Sequence, residues 1–192
     1  MTLAICHWWI VGLWTAMLVY WLIAAIFVKR GGDRGAARRG LGVRLGLFVV
    51  IVIAVELARR SSQLVALQRA ELHSLPLAII GAVLVSGGAM VAFSARAVIG
   101  RNWGTPGTRK TDTELVTTGP YARIRHPIYS GILLMMIGSA IGLFPAWWLV
   151  AAASGTYFIV SARSEERFMA ERFPDAYPAY RARTKMLIPF VL

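Results

Sequence analysis

Cys6 is the only cysteine in the 192-residue chain, which excludes an internal disulfide and a cysteine-based zinc site. It lies in an apolar run and reads as a small packing residue. Acidic residues are also scarce, nine Asp and Glu against 21 Lys and Arg, so the net charge is +12. That excess invites a nucleic-acid reading, but no basic stripe interleaved with aromatics is present, so no nucleic-acid partner is expected. The three histidines, His7, His73 and His126, are too scattered for a multi-histidine site, and no metal is expected. There is no Gly-x-Gly-x-x-Gly after a strand, no phosphate-binding loop and no Gly-x-Ser-x-Gly elbow.

What the chain does have is apolar length. Hydrophobic residues make up 57% of it and charged ones 16%. Long uncharged stretches alternate with clusters of Arg and Lys, the signature of a bilayer protein rather than a soluble core. A first span is predicted over 3–28, too long and lacking the basic start of a cleaved leader, with Trp8 and Trp9 near one end at headgroup level. A basic, glycine-rich loop follows over 29–44, then a short second span over 45–58. Glu56 near its end is placed at the interface or paired with Arg59 or Arg60, since an ionised carboxylate in hydrocarbon is costly. A third span is predicted over 76–95, where Gly81, Gly87 and Gly88 permit close helix approach. After the long polar stretch 96–127 come two apolar arms, 128–144 and 146–161. Pro145 between them disfavours a continuous helix, so they are read as a tight helical hairpin. The fold class is therefore an all-α integral membrane protein of about five helical segments, the last two a hairpin.

Charge bias orients it. The 29–44 loop, the 96–127 stretch and the 163–192 tail carry six basic residues each, and the 59–75 connection three. Basic loops stay on the cytoplasmic side. The N-terminus is thus expected outside and the C-terminus inside, with membrane lipids as partners for the flanking cations.

Two cytoplasmic segments concentrate functional residue types. One runs over 114–129 and contains Tyr121, Arg125, His126 and Tyr129. The other contains Arg163, Glu165, Glu166, Phe173, Tyr177 and Tyr180. Folding the hairpin brings Arg125 and His126 near Glu165 and Glu166. Arg125 offers planar donors to a carboxylate. The glutamates offer acceptors to an ammonium group or a diol. The plain alternatives are a headgroup anchor for the Arg-His pair and a solvated helix face for the acidic pair. Residue chemistry alone reaches a polar ligand site beside a membrane.

At these residues the chain resembles the isoprenylcysteine carboxyl methyltransferases and the related phospholipid N-methyltransferases. The pattern is Leu-Val-x-x-Gly-x-Tyr-x-x-x-Arg-His-Pro-x-Tyr, here Leu115, Val116, Gly119, Tyr121, Arg125, His126, Pro127 and Tyr129. An Arg-x-Glu-Glu segment follows as Arg163, Glu165 and Glu166, then Phe173, Tyr177 and Tyr180. The likeness covers about residues 98–190. It implies a cytoplasmic pocket for S-adenosyl-L-methionine held by Leu115, Gly119, Tyr121, His126, Tyr129, Glu165 and Glu166. It places Arg125 and Arg163 nearest the chemistry, and it implies a lipophilic or lipidated acceptor, a carboxylate by preference, entering from the bilayer. One departure is Thr113, where the family often has histidine. On this reading residues 1–192 form one membrane domain. Three spans occupy 1–95 and the cofactor-binding module occupies 96–192.

Membrane sterol or enone reductases using NADPH also resemble this module. They carry an Asn-Tyr-x-Gly-Glu segment, and the nearest run here, Asn102-Trp103-Gly104, lacks the acid. A membrane scaffold without activity is the remaining alternative.

Overall fold

The computed structural model describes residues 2–26, 74–103 and 114–188. The 29–44 loop, the second span at 45–58, Glu56 and Thr113 lie outside the described residues. Among the described residues the protein is all-helical, with no strand and one isolated parallel bridge between Ile124 and Lys185.

Among the described residues, helix α1 (Thr2–Ile26) and helix α2 (Leu75–Ile99) are the two long and apolar enough to cross a membrane. Little of either helix is buried among the described residues. Ile5, Trp8, Leu18 and Leu22 of α1 and Val83 and Met90 of α2 stand exposed. Apolar side chains left uncovered over such lengths suit lipid rather than water.

Helix α2 starts with proline in its first turn, where the missing N–H is no loss. It ends at Gly100, whose φ of +51° is the left-handed conformation that glycine adopts without strain. Helix α3 (Pro127–Gly142) likewise opens on a proline. The predicted hairpin is present: α3 stops at 142, a turn containing Pro145 follows, and helix α4 (Trp147–Arg172) returns. Helix α4 runs well past the predicted end of the apolar arm at 161. Nothing between Ala162 and Arg172 breaks a helix, and the stop comes at Phe173, the residue before Pro174. A short helix α5 (Ala176–Arg183) and an irregular segment over 184–188 complete the described chain.

The α2–α3 contact is made by backbone. A Cβ on Gly81 would lie 2.6 Å from the Gly138 carbonyl oxygen, and one on Gly88 would lie 2.5 Å from that of Gly131. Small residues let helix axes approach this closely in lipid, where no hydrophobic effect drives association. Of the three predicted contact glycines, Gly87 is the exception, with only Leu134 Cδ2 nearby, at 3.9 Å, among the described residues.

Helix α1 lies against this pair through Ile10 and Met17, which pack with Val85, Ala89, Ala92 and Met135. Two indole N–H groups find hydroxyl acceptors across the interface, Trp9 with Ser86 Oγ and Trp14 with Ser139 Oγ, each at 2.9 Å. Trp9 meets Ser86 and Tyr20 meets Phe93, so α1 and α2 run parallel. The end of α2, the start of α3 and the end of α4 thus gather on one side.

Candidate functional site

The site begins with a turn. Gly119 has φ +59°, and a Cβ there would also press to 3.0 Å from Val98 Cγ2. Only glycine fits such a place without strain. The 3-10 turn Gly119–Ala122 then delivers Tyr121 into a cluster with Ala95 and Ile128, edged by Trp21, Trp103 and Val116. Val116 is thus packing, and Leu115 beside it is half-buried in the extended stretch before the turn. Tyr180 of α5 donates its hydroxyl proton to the Tyr121 carbonyl at 2.7 Å.

Arg125 and His126 immediately precede α3. Pro127 keeps His126 out of the helical region, with φ −124° and ψ 58°, so its ring leaves the helix axis. Across from it, Glu165 and Glu166 project from the extension of α4 beyond its apolar arm. Arg125 Nε donates to Glu166 Oε1 at 2.6 Å, both side chains being 9% exposed. The same guanidinium donates to the carbonyls of Thr184, at 2.5 Å, and Arg181, at 3.3 Å. Arg181 Nε lies 3.8 Å from Glu166 Oε2. Tyr129 donates to Glu165 Oε1 at 2.7 Å.

The His126 imidazole lies between the carboxylates. Its Nδ1 is 3.5 Å from Glu165 Oε2 and its Nε2 is 3.6 Å from Glu166 Oε1. The second distance exceeds a hydrogen bond, and Nε2 is buried without a partner among the described residues. The ring stacks on Tyr129 with centroids 5.5 Å apart, and Tyr129 stacks on Phe158 at 4.5 Å.

Electrostatics follow from this packing. Burial alone would lower the His126 pKa, but Glu165 and Glu166 outweigh it and raise the pKa above the ordinary imidazole value. Burial pushes Glu166 up, and His126 and Arg125 together bring it below the usual carboxylate range. The Tyr180 hydroxyl is pushed up to about 12, chiefly by burial, and Tyr121 is raised by burial and then by Tyr180 and Glu165. The cluster thus sets Arg125, His126 and Arg181 against Glu165 and Glu166, with the Tyr121 and Tyr180 hydroxyls neutral. Glu165, whose side chain is 29% exposed, is its most open carboxylate.

Of the residues singled out in the sequence, the structure brings together Arg125, His126, Tyr129, Glu165 and Glu166, with Tyr121 joined through Tyr180. Arg163 stays apart: it is exposed on α4 and makes no ion pair among the described residues. Two partners were not legible beforehand. Ser130 and the segment 184–187 both close on the Arg125-His126 turn, and the hydrogen bonds to 184–187 are, apart from a 3.4 Å contact with the Thr184 hydroxyl, made by backbone groups, which leave no residue-type signal. Asn102, read only as part of the run nearest to a reductase motif, donates to Glu114 Oε2 at 3.1 Å and ties the end of α2 to the start of the third described stretch.

Comparison with known proteins adds to this geometry. The family described as phospholipid methyltransferase has a model that matches residues 77–176. The protein-S-isoprenylcysteine O-methyltransferase of Schizosaccharomyces pombe is 32% identical over 85 residues, covering 43% of this chain and 36% of that protein. Methanethiol S-methyltransferase 1 of Bradyrhizobium diazoefficiens is 32% identical over 84 residues, covering 44% and 29%. The cobalt-zinc-cadmium resistance protein CzcN of Cupriavidus metallidurans is 34% identical over 97 residues, covering 48% and 44%. The chain spans less than half the length of each of these relatives.

Proposed function

The chain belongs to the phospholipid methyltransferase family, and we propose that it is an integral membrane enzyme that methylates a lipophilic acceptor, with S-adenosylmethionine as donor, at the cytoplasmic face of the bilayer. The observation that carries this reading is the meeting of its two motif segments: the Arg125-His126-Pro127-x-Tyr129 turn packs against Glu165 and Glu166 in one cluster. The parallel run of α1 and α2 and the gathering of Arg96, Arg123, Arg125, Arg172 and Arg181 at one end support a cytoplasmic site and an external N-terminus.

The residues present fit the donor. The Nε2 of His126 is buried, and Glu166 Oε1 at 3.6 Å is too far for a full hydrogen bond, so this donor has capacity left for a ligand acceptor. Glu165 offers a half-open carboxylate to an ammonium group or a diol. In this reading His126, Tyr121, Tyr129, Glu165 and Glu166 hold the cofactor. Leu115 borders it, and Gly119 supplies the turn that aims Tyr121. When bound, S-adenosylmethionine supplies an electrophilic methyl group on a sulfonium.

The chain's own work is alignment and exclusion of water, which can account for much of the barrier in a displacement between two bound partners. Arg125 is committed to Glu166 and to two carbonyls, so we assign it the task of positioning Glu166. Arg163, exposed one helical turn before Glu166, is assigned to orient the acceptor. Glu166 is held by Arg125, and Glu165 accepts from Tyr129, so neither stands free as a general base. That favours an acceptor already anionic, a carboxylate, which needs no base.

The test is equilibrium binding to the purified protein in detergent with S-adenosylmethionine and NADPH side by side, followed by labelled methyl transfer into membrane extracts. Saturable binding of the sulfonium compound and label in a base-labile ester are expected. Binding of NADPH alone would overturn the proposal in favour of a reductase.

A further inference from the structure

The N-terminus of α3 lacks the usual satisfaction of its free amides, since no side chain caps it. The two amides just ahead of the helix, those of Arg125 and the N-cap residue His126, are met by a segment from the far end of the chain. The Arg125 N–H donates to the Lys185 carbonyl at 2.8 Å and the His126 N–H to the Met186 carbonyl at 3.1 Å. In return the Lys185 N–H donates to the Arg123 carbonyl at 3.1 Å. The Ser130 hydroxyl, one turn into α3, donates to the Leu187 carbonyl at 2.5 Å, and Arg125 Nη1 takes the Thr184 carbonyl. Each residue from 184 to 187 contributes a backbone group. Met186 and Leu187 are buried in a cluster with Tyr129 and Ala162, against Phe158, and Tyr129 is the ring on which His126 stacks.

We propose that the 184–187 segment is a clasp that sets the position of the His126 imidazole between Glu165 and Glu166, with Ser130 and the Lys185 amide as its positioning groups. The backbone at His126 is fixed by the Met186 carbonyl. The ring is fixed by a tyrosine that the clasp itself packs. That His126 serves a methyl-donor site rests on the functional reading above; that the clasp positions His126 does not.

The groups facing His126 are Glu165 and Glu166 from α4, with Arg125 beside it, Tyr129 of α3 below it and Arg181 of α5 against Glu166. If the ring is released, its coupling to the two carboxylates falls and its proton affinity drops.

The experiment titrates His126 by NMR in the full-length, ligand-free protein with labelled histidine. Only three histidines are present, and the His126 signal is identified by its loss in His126→Gln. Ser130→Ala removes the hydroxyl, and Ser130→Thr restores it. Lys185→Pro deletes the amide donor at a place where Thr184, at φ −124° and ψ 158°, already suits a following proline. Lys185→Ala keeps the donor, and its side chain is exposed. We expect Ser130→Ala and Lys185→Pro to lower the His126 midpoint by about one pH unit, tenfold in proton affinity. Ser130→Thr and Lys185→Ala should titrate as the parent does. S-adenosylmethionine affinity should fall roughly three- to tenfold in the first pair only, as loss of about one hydrogen bond implies. An unmoved His126 midpoint in Ser130→Ala, or an equal shift in Ser130→Thr, overturns the clasp. Failure of the parent protein to bind the sulfonium compound overturns the functional reading, and the titration still decides the clasp.

Discussion

At the scale of single residues the site is a charge balance in a dry setting. Glu166 is held between Arg125 and His126, so Glu166→Gln leaves the Arg125 guanidinium buried without its counter-ion. Breaking a buried pair on one side costs about 3–5 kcal/mol. A matching fall in unfolding free energy in detergent is expected, with the double variant Arg125→Met/Glu166→Gln recovering part of it. The balance also sets a pH window. The raised pKa of His126 stabilises the fold fully below its ordinary 6.5, and that stability is lost as pH rises through the folded value. The lowered pKa of Glu166 stabilises it above the ordinary 4.5, and that stability is lost as pH falls through the folded value. Both act fully between those two ordinary values. The Tm difference between the parent and His126→Gln should therefore be greatest near pH 5–6 and shrink at alkaline pH; a difference that grows with alkalinity would contradict the arrangement. Arg163 has a different signature. Arg163→Lys keeps the charge and loses the planar fork, so kcat should fall more than cofactor affinity if it orients the acceptor. Near-parental turnover would remove it from the site.

Between elements, the seam that positions the site is the α2–α3 contact. Its glycines are not equivalent. Gly88→Ala places a Cβ 2.5 Å from a rigid carbonyl oxygen and should cost about 1–3 kcal/mol, because neither backbone can yield. Gly87→Ala meets nothing nearer than 3.9 Å and should be neutral or stabilising by about 0.5–1 kcal/mol, from reduced freedom of the unfolded chain and better helix propensity. Thermal unfolding of the two variants in one detergent checks the pair. The seam matters beyond stability, since it carries the C-terminal end of α2 to the turn at Gly119 and the N-terminal end of α3 to His126. The α4 extension past the bilayer arm does the remaining work, bringing an acidic pair 40 residues downstream back to that turn.

For the whole molecule the proposal is a topology with one working side. Helices α2 and α3 run antiparallel across the glycine seam, α1 runs with α2, and the site lies where α2 and α4 end. In a Cys6→Ala background, cysteine placed at Ser74 should react with an impermeant maleimide from outside intact cells. Cysteine placed at Arg172 should react only in inverted vesicles. The reverse pattern would put the cluster outside and remove its access to a cytoplasmic methyl donor.

The sequence by itself determined the membrane class, the hairpin broken near Pro145, and the two polar segments that meet in the charged cluster. Those features follow from composition, proline stereochemistry and residue types that differ sharply from their surroundings, and such signals survive in one dimension. It did not determine which of Gly81, Gly87 and Gly88 make the contact, because facing depends on helix rotation. It could not separate Arg125, buried and fully engaged, from Arg163, exposed and apart, because both are arginines beside an acidic pair. Nor did it reveal the segment over 184–187. That segment acts on the Arg125-His126 turn through carbonyls and amides that every residue carries, and only the tertiary structure decides which backbone groups lie within reach.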